Sequence, residues 1–247
     1  MSTLGILSAM PQELDAVLAM MSGVTTTSRA GRTFHRGLLE GVPAVAVFSR
    51  WGKVAAASTA TELLIGHGVS RIVFTGVAGG LAPDVAVGDI VIAHRLWQHD
   101  LDASPLYPRG EIPLLGVAAI ESDPALRQAL TEASQAFIRD ELSALKSPML
   151  ARTPRVHLGD IASGDRFIAS DSARADVLAA VPTALCVEME GAAVAQVCHE
   201  HGIPFACVRT ISDTADAHAA GTVMDFINAL AGVYSAGIIS RAAKLHA

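Results

Sequence analysis

Short apolar runs alternate with longer amphipathic stretches along the chain. The runs are rich in Val, Ile and Ala, and many are bounded by Gly or Pro. Continuous runs of this kind are typical of strands that are covered on both faces of a sheet. We therefore predict strands at residues 4–7, 44–48, 71–75, 89–93, 156–161 and 204–210.

Helical periodicity lies between and after these runs. It predicts helices at residues 11–21, 54–67, 124–142, 190–201 and 224–245. Strands that alternate with helices indicate an α/β fold, with a central, largely parallel sheet and helices on both faces. No stretch rich in Pro, Gly or Ser marks a boundary, so we predict one domain over residues 1–247.

Composition narrows the class of protein. Hydrophobic residues make up 51% of the chain and charged residues 17%, against about 25% charged in an average soluble domain. The chain has 18 Lys and Arg against 24 Asp and Glu, a net charge of −6, and no basic run. A compact globular protein is expected, and nucleic acid is not an expected partner.

Targeting signals are weak. The first ten residues lack a basic start, which argues against a signal peptide. The apolar segment 226–240 is shorter than the roughly 20 residues that a membrane-spanning helix needs. The three cysteines, Cys186, Cys198 and Cys207, suit neither a disulfide framework nor a metal site. We expect a soluble, cytoplasmic protein without membrane association.

Candidate chemistry follows the predicted strands. In open α/β sheets, ligands bind where the carboxyl ends of strands meet loops and helix N-termini. Four positions fit this rule: Glu13, the Gly-rich segment 76–80, the acidic segment 188–190 and the segment 209–213. Taken singly, each also has a structural explanation, such as an acid near the positive end of a helix dipole or a helix N-cap. Their convergence on one cleft is the prediction.

The order and spacing of several segments are more specific than any one of them. Together they resemble the methylthioadenosine/S-adenosylhomocysteine nucleosidases of the purine nucleoside phosphorylase superfamily. The resemblance covers nearly the whole chain. It rests on residues 4–13 (LGILSAMPQE), 52–57 (GKVAAA), 75–81 (TGVAGGL), 87–91 (VGDIV), 163–168 (SGDRFI), 187–193 (VEMEGAA) and 208–213 (VRTISD).

The resemblance implies a three-layer αβα sandwich with a central mixed sheet, and hydrolysis of a purine nucleoside without a metal or organic cofactor. It assigns Glu13 as the general base for the attacking water and Asp213 as the acid that protonates the leaving purine. Glu190 is implied to bind the ribose hydroxyls, with Arg209 and Ser212 as supports near the water and the acid.

Four further residues are implied to bind substrate. Phe167 is expected to stack on adenine, and the backbone of Ile168 to hydrogen-bond the base. Met189 is expected to pack under the ribose, and Gly79 to line the Gly-rich loop.

The residue types suit the reaction on physical grounds as well. Breaking an N-glycosidic bond develops a cationic ribosyl ring and pushes electrons onto the purine, so an acid is needed at the base and an anion near the sugar. The two carboxyl groups must then differ in protonation near neutral pH. We expect Arg209 to keep Glu13 ionised and an apolar pocket to keep Asp213 protonated.

The chain departs from the family pattern at Arg50 and Trp51, where small or aliphatic residues are usual, and at Val77, where Ser is common. The family places residues 50–51 beside the 5′-alkylthio group, so Trp51 is expected to narrow that space or stack on an unusual substituent, and Arg50 to meet an anion. The alternative is that Arg50 turns outward and Trp51 only packs in the interior.

The longest irregular segment begins at Leu101 and ends at Gly116, and loops of this length are usually functional or interfacial. It resembles the family's dimer-contact loop, which implies a homodimer with Leu106, Tyr107 and Pro113 near the partner's active site. An exposed loop without that role is the alternative.

Three other functions stay open at this stage. A phosphorylase of the same fold would use phosphate in place of water, but Glu13 would repel that anion. A futalosine-type hydrolase would apply the same chemistry to a larger 5′ group. A nucleoside-binding module without catalysis would not need both an acid and a base.

Overall fold

A mixed sheet of ten strands runs through the part of the chain that the computed structural model describes, residues 2–145 and 147–245. The strands are β1 (Leu4–Ser8), β2 (Met21–Arg29), β3 (Arg32–Leu39), β4 (Val42–Phe48), β5 (Arg71–Gly80), β6 (Ile90–Gln98), β7 (Ala119–Glu121), β8 (Val156–Ser163), β9 (Ala184–Glu188) and β10 (Phe205–Asp213). All six predicted strands are present, and three of them, β5, β6 and β10, extend by three or more residues beyond the predicted end.

The spatial order of the strands is β10, β6, β8, β9, β5, β1, β4, β3, β2, with β7 beside β6. Strand β10 also pairs with β5, so β5, β9, β8, β6 and β10 close into a ring. The pairs β1–β4, β1–β5, β5–β10, β6–β8 and β8–β9 are parallel, and the other pairs are antiparallel. The mixed sheet is therefore confirmed, with its parallel strands at the centre.

Seven α-helices accompany the sheet within the described residues. They are α1 (Pro11–Ala19), α2 (Lys53–Thr61), α3 (Pro124–Asp140), α4 (Asp171–Ala180), α5 (Gly191–Glu200), α6 (Ala219–Phe226) and α7 (Gly232–Leu245). A π-helical turn at Glu62–Gly66 continues α2, and a second at Ile227–Ala231 joins α6 to α7.

The helices form one layer on each face of the sheet. Leu14 of α1, Leu130 of α3 and Ile238 of α7 belong to one buried apolar cluster, and Ala60 of α2 and Val194 of α5 belong to another. Burial of such apolar surface against both faces is the main favourable contribution to folding. The predicted three-layer αβα arrangement is confirmed.

The helical stretch Ala219–Leu245 is longer than the apolar segment noted in the sequence. By length and composition alone, this stretch of 27 residues is long and apolar enough to cross a membrane. Half of its most apolar window, however, is buried inside the protein. It packs on α1 and α3, as a core helix does.

Two sequence-based expectations about local structure are wrong. Residues 75–80 were expected to be a Gly-rich loop and residues 209–213 to follow a strand, yet both segments lie within strands, β5 and β10. The two segments pair with each other in parallel, which supplies the backbone partners that keep them extended. The functional positions therefore lie on the sheet itself, which holds them more rigidly than a loop.

Candidate active site

Asp213 is the last residue of β10, and Gly79 lies beside it on β5 as its pairing partner. Its Oδ1 accepts a hydrogen bond from the backbone N–H of Ala215 at 2.8 Å, and its Oδ2 accepts one from Ser212 Oγ at 2.8 Å. A Cβ at position 79 would come within 2.9 Å of Oδ1, so a residue larger than glycine would displace the carboxyl group. Burial raises the pKa of Asp213, as expected for an acid held protonated.

Glu13 lies in the first turn of α1, directly after β1. Its Oε2 accepts hydrogen bonds from the backbone N–H of Met10 and from Ser8 Oγ, both at 3.0 Å. Burial raises the pKa of Glu13 to about 7, although the nearby charge of Arg209 acts in the opposite direction. Arg209 therefore keeps this carboxyl group only partly ionised near pH 7, because removal from water outweighs the attraction.

Arg209 is fully buried in β10. Its guanidinium group lies over the ring of Phe74 at 4.2 Å and passes within 1.7 Å of where a Cβ at Gly76 would stand. Nη2 donates to Glu188 Oε2 and lies 3.6 Å from Glu190 Oε2. The charge of Arg209 is thus directed mainly at Glu188.

Glu190 precedes α5, and its carboxyl group is buried. Oε1 accepts a hydrogen bond from the backbone N–H of Gly52 at 3.0 Å. Burial, reinforced by the negative charge of Glu188, raises the pKa of Glu190 to about 7. This carboxyl group can therefore exchange its proton near neutral pH.

Residues 50–53 connect three parts of the site. The indole N–H of Trp51 donates to the carbonyl of Ala9 at 3.0 Å, and the backbone N–H of Lys53 donates to Asp165 Oδ1 at 2.8 Å. Trp51 is 61% exposed, so the alternative that it only fills the interior is wrong. Arg50 turns away and donates to the carbonyl of Gly31.

A small cleft opens beside Asp213. The ring of Phe167, 47% exposed, and the buried Ile168 form part of its wall. The lining residues are Gly79, Arg166, Phe167, Ile168, Val187, Glu188, Met189 and Asp213. The cleft is open on the side of the exposed Phe167 ring and is closed on the other side by the ends of strands. This shape suits a flat ligand.

The sequence profile of the phosphorylase superfamily matches residues 3–240. The chain belongs to this superfamily. A 5′-methylthioadenosine/S-adenosylhomocysteine nucleosidase of Chromohalobacter salexigens is 36% identical over 216 residues, 87% of this chain and 86% of that protein. An aminodeoxyfutalosine nucleosidase of Helicobacter pylori is 33% identical over 229 residues, 92% of each.

Solved structures of superfamily members agree with this assignment. The methylthioadenosine/S-adenosylhomocysteine nucleosidase of Colwellia psychrerythraea, crystallised with adenine, superposes with a TM-score of 0.89 at 31% identity. The match covers 99% of this chain and 95% of that one. The α/β fold with a central mixed sheet is therefore that of the nucleosidases in the superfamily.

In this superfamily member, the nine residues singled out from the sequence lie around one cleft and the charge cluster next to it. Gly79, Phe167, Ile168, Met189 and Asp213 line the cleft. Ser212 contacts Asp213, and Arg209 joins Glu190 to Glu188 and acts electrostatically on Glu13. Within residues 2–145 and 147–245, no three His, Cys, Asp or Glu side chains are arranged to hold a metal ion.

Sequence reasoning assigned no role to Glu188 beyond suiting the start of a helix. The contacts bear out that interpretation, because its carboxylate accepts from the backbone N–H groups of Glu190 and Gly191. They also show bonds to Ser163 and Arg209, which come from two other strands. The only signal in the sequence is a second acid two positions before Glu190.

Proposed function

We propose that this protein hydrolyses the N-glycosidic bond of 5′-methylthioadenosine, S-adenosylhomocysteine and similar purine nucleosides, and releases the free base and the sugar. The observation that carries the proposal is a cleft lined by the buried acid Asp213, next to a charge cluster in which Arg209 lies near the buried carboxyl groups of Glu190 and Glu13. A site that only binds a nucleoside has no use for three buried acids, because burying each of them is unfavourable. The similarity to the nucleosidases named above supports the same reaction.

Asp213 is the proton donor in this proposal. As the glycosidic bond breaks, negative charge develops on the purine, and a carboxylic acid beside it neutralises that charge. Ser212 Oγ lies within reach of two acceptors, Asp213 Oδ2 and, at 3.3 Å, the carbonyl of Ala78. The bond from Ser212 fixes the orientation of the carboxyl group, and burial raises the pKa of Asp213, which favours the protonated form that the leaving purine needs.

Glu13 and Glu190 act on the sugar side. Glu13, with a pKa of about 7, takes a proton from the attacking water at neutral pH and above. Glu190 accepts hydrogen bonds from the ribose hydroxyls, and its negative charge, when ionised, favours the cationic ribosyl ring. The raised pKa values support this division because both groups exchange protons close to physiological pH.

Base recognition is assigned to the cleft. The exposed ring of Phe167 offers a face for stacking on adenine, and Ile168 offers its backbone to the base edge. Met189 packs under the ribose, and Gly79 leaves room for the base beside Asp213. The nucleosidase of similar structure was crystallised with adenine, which supports a purine in this cleft.

The product distinguishes hydrolysis from the alternatives. We expect incubation with 5′-methylthioadenosine to release adenine and free methylthioribose at the same rate with and without phosphate. A sugar phosphate formed only with phosphate would establish a phosphorylase instead. Thermal stabilisation by the nucleoside with no release of adenine over hours, at enzyme and substrate concentrations that saturate binding, would establish a binding module.

Trp51 is assigned to the 5′ substituent. It adjoins Gly52, whose backbone N–H donates to Glu190, but it does not line the cleft beside Asp213. Its indole is fixed by the bond to Ala9 and largely exposed, so one face is free to stack on an aromatic 5′ group. The likeness to an aminodeoxyfutalosine nucleosidase makes a larger 5′ group the second candidate substrate class.

We therefore expect Trp51→Ile to lower kcat/KM for 5′-phenylthioadenosine about fivefold relative to 5′-methylthioadenosine, since an aromatic pair contributes about 1 kcal/mol. Steady-state kinetics on both substrates measure the ratio. Trp51→Phe is the matched control, because it keeps an aromatic ring and removes only the N–H bond to Ala9. An unchanged ratio in Trp51→Ile would remove Trp51 from the 5′ pocket.

We further propose a homodimer in which the loop from Leu101 to Gly116 lies near the partner's active site. Leu106 and Leu114 of this loop are 86% and 91% exposed, and large apolar side chains with such exposure are typical of contact surfaces. A cytoplasmic location is proposed as well, which the three free, buried cysteines support.

A further inference from the structure

Glu188 is the last residue of β9 and lies between three other elements. Its two carboxylate oxygens accept from Ser163 Oγ on β8, from Arg209 Nη2 on β10, and from two backbone N–H groups at the start of α5. The side chain is only 2% exposed. A buried carboxylate with this many donors is held in one position.

The start of α5 depends on this carboxylate. The backbone N–H of Gly191 donates to both of its oxygens, at 2.9 and 2.8 Å, and that of Glu190 donates at 3.1 Å. Ser163 Oγ, which donates to Glu188, also accepts from the backbone N–H of Ala192 at 2.8 Å. Three of the first N–H groups of the helix, which have no partner inside it, are satisfied in this way. The backbone of Glu190 is thereby fixed.

The position of Arg209 depends on Glu188 as well. The guanidinium group bonds directly to Glu188, whereas Glu190 lies at 3.6 Å. On the other side it is confined by Gly76, where no side chain fits, and by the ring of Phe74. The strongest partner of this buried cation is therefore a carboxylate to which no step of the reaction is assigned.

We propose that Glu188 is a positioning residue for the hydrolysis: it holds the Arg209 guanidinium group in an ion pair of its own, and it anchors the first turn of α5 so that the Glu190 carboxylate faces the ribose. This inference rests on the proposed function. Glu188 does not contact the substrate at the reacting bond. It instead balances the charge of Arg209 and fixes the position of Glu190, which act there.

The charge balance gives the proposal a measurable consequence. Glu188 neutralises Arg209, so Glu13 and Glu190 are left without a full counter-charge, and burial raises the pKa of both. Without the Glu188 charge, the positive charge of Arg209 would act on Glu13 and lower its pKa. The titratable groups that face Glu188 and Arg209 are Glu13 on α1, His99 after β6, Cys186 on β9, Glu190 before α5 and Cys207 on β10.

Three of these groups have pKa values displaced away from neutral pH. Burial lowers the pKa of His99, which favours the neutral ring. Burial raises the pKa of the thiols of Cys186 and Cys207, which keeps both protonated. A shift of the acid limb of activity near neutral pH therefore reports on the carboxyl groups.

The test compares Glu188→Gln with Glu188→Asp over a pH series of kcat and kcat/KM on 5′-methylthioadenosine. Gln removes the charge, so we expect kcat to fall roughly 10- to 100-fold, since a displacement of about 1 Å has that effect. The acid limb of kcat/KM should move down by about one pH unit. Asp keeps the charge on a shorter side chain, so its acid limb should stay at the wild-type pH while kcat falls less.

The double variant Glu188→Gln with Arg209→Met keeps the test decisive if the single variant does not fold. It removes both charges, so its acid limb should lie at or above the wild-type pH. Asp160→Asn is the matched control: Asp160 is a buried carboxylate that bonds to Arg95 and Thr183 and not to Glu188 or Arg209, so its loss should leave the pH profile unchanged.

An acid limb that stays at the wild-type pH in Glu188→Gln, with or without a loss of kcat, would overturn the proposal and leave Glu188 with a structural role only. A downward shift in the double variant would overturn it too. A wild-type protein that releases no adenine would instead refute the proposed function, so the two failures are distinguishable.

Discussion

Replacement of Asp213 by Asn should lower kcat for 5′-methylthioadenosine by roughly 10²- to 10⁴-fold, the range for loss of a general acid. The amide has nearly the same shape, and its oxygen can still accept from Ser212 or Ala215, so the site should keep its geometry. What is lost is the proton that neutralises the leaving purine. Single-turnover release of adenine measures the chemical step directly.

A substrate with a better leaving group provides the control. The leaving group of a 4-nitrophenyl riboside is 4-nitrophenolate, a stable anion that needs no proton. Asp213→Asn should therefore cleave this substrate nearly as fast as the wild type does. An equal loss on both substrates would show that Asp213 serves the sugar or the fold and not the departure of the base.

Replacement of Glu13 by Gln should also lower kcat by roughly 10²- to 10⁴-fold, because an amide cannot take the proton of the attacking water. The pKa of Glu13 is about 7, so wild-type activity should decline as the pH falls through 7 and the base becomes protonated. That acid limb should be less steep in the residual activity of the variant, where Glu190 still titrates in this range. A pH series of kcat from 5 to 9 measures both effects.

The folding stability of Glu13→Gln separates loss of a base from loss of structure. The pKa of Glu13 in the folded protein is higher than its ordinary value of 4.5. Its contribution to stability is therefore complete below pH 4.5 and is lost as the pH rises through 7. The variant, which has no charge to bury, should have a Tm at pH 8 at least equal to that of the wild type. A lower Tm at pH 8 would mean that the activity loss reflects damage to the fold.

The central strands and the helices on both faces could be predicted from the sequence. Each strand is a continuous apolar run, and each helix has apolar residues that recur with the period of a helix turn. It did not predict the hairpin of β2 and β3, whose first strand, Met21–Arg29, is exposed along most of its length and has no apolar alternation. Helix α4 (Asp171–Ala180) was also missed, since only Ala173 and Val177 of it are buried.

The residues of the candidate site could be predicted from the sequence, but their ionisation and ion pairing could not. The family resemblance assigned Glu13 and Asp213 to one site; Asp213 lines the cleft, and Glu13 lies near Arg209 in the charge cluster beside it. Arg209 keeps Glu13 ionised less fully than expected because burial outweighs its charge, and because its direct partner is Glu188, 21 residues earlier in the chain. Which carboxylate a buried cation selects depends on packing between β9 and β10, and no local pattern encodes it.

The segment from Trp51 to Lys53 is held at three consecutive residues by three distant parts of the chain: Ala9, Glu190 and Asp165. Its length is consequently fixed to the residue. Adding or deleting one amino acid there would put the later hydrogen bonds of the segment out of register. Natural variation among relatives, and any engineering of the 5′ pocket, must therefore proceed by exchange of side chains and not by change of loop length.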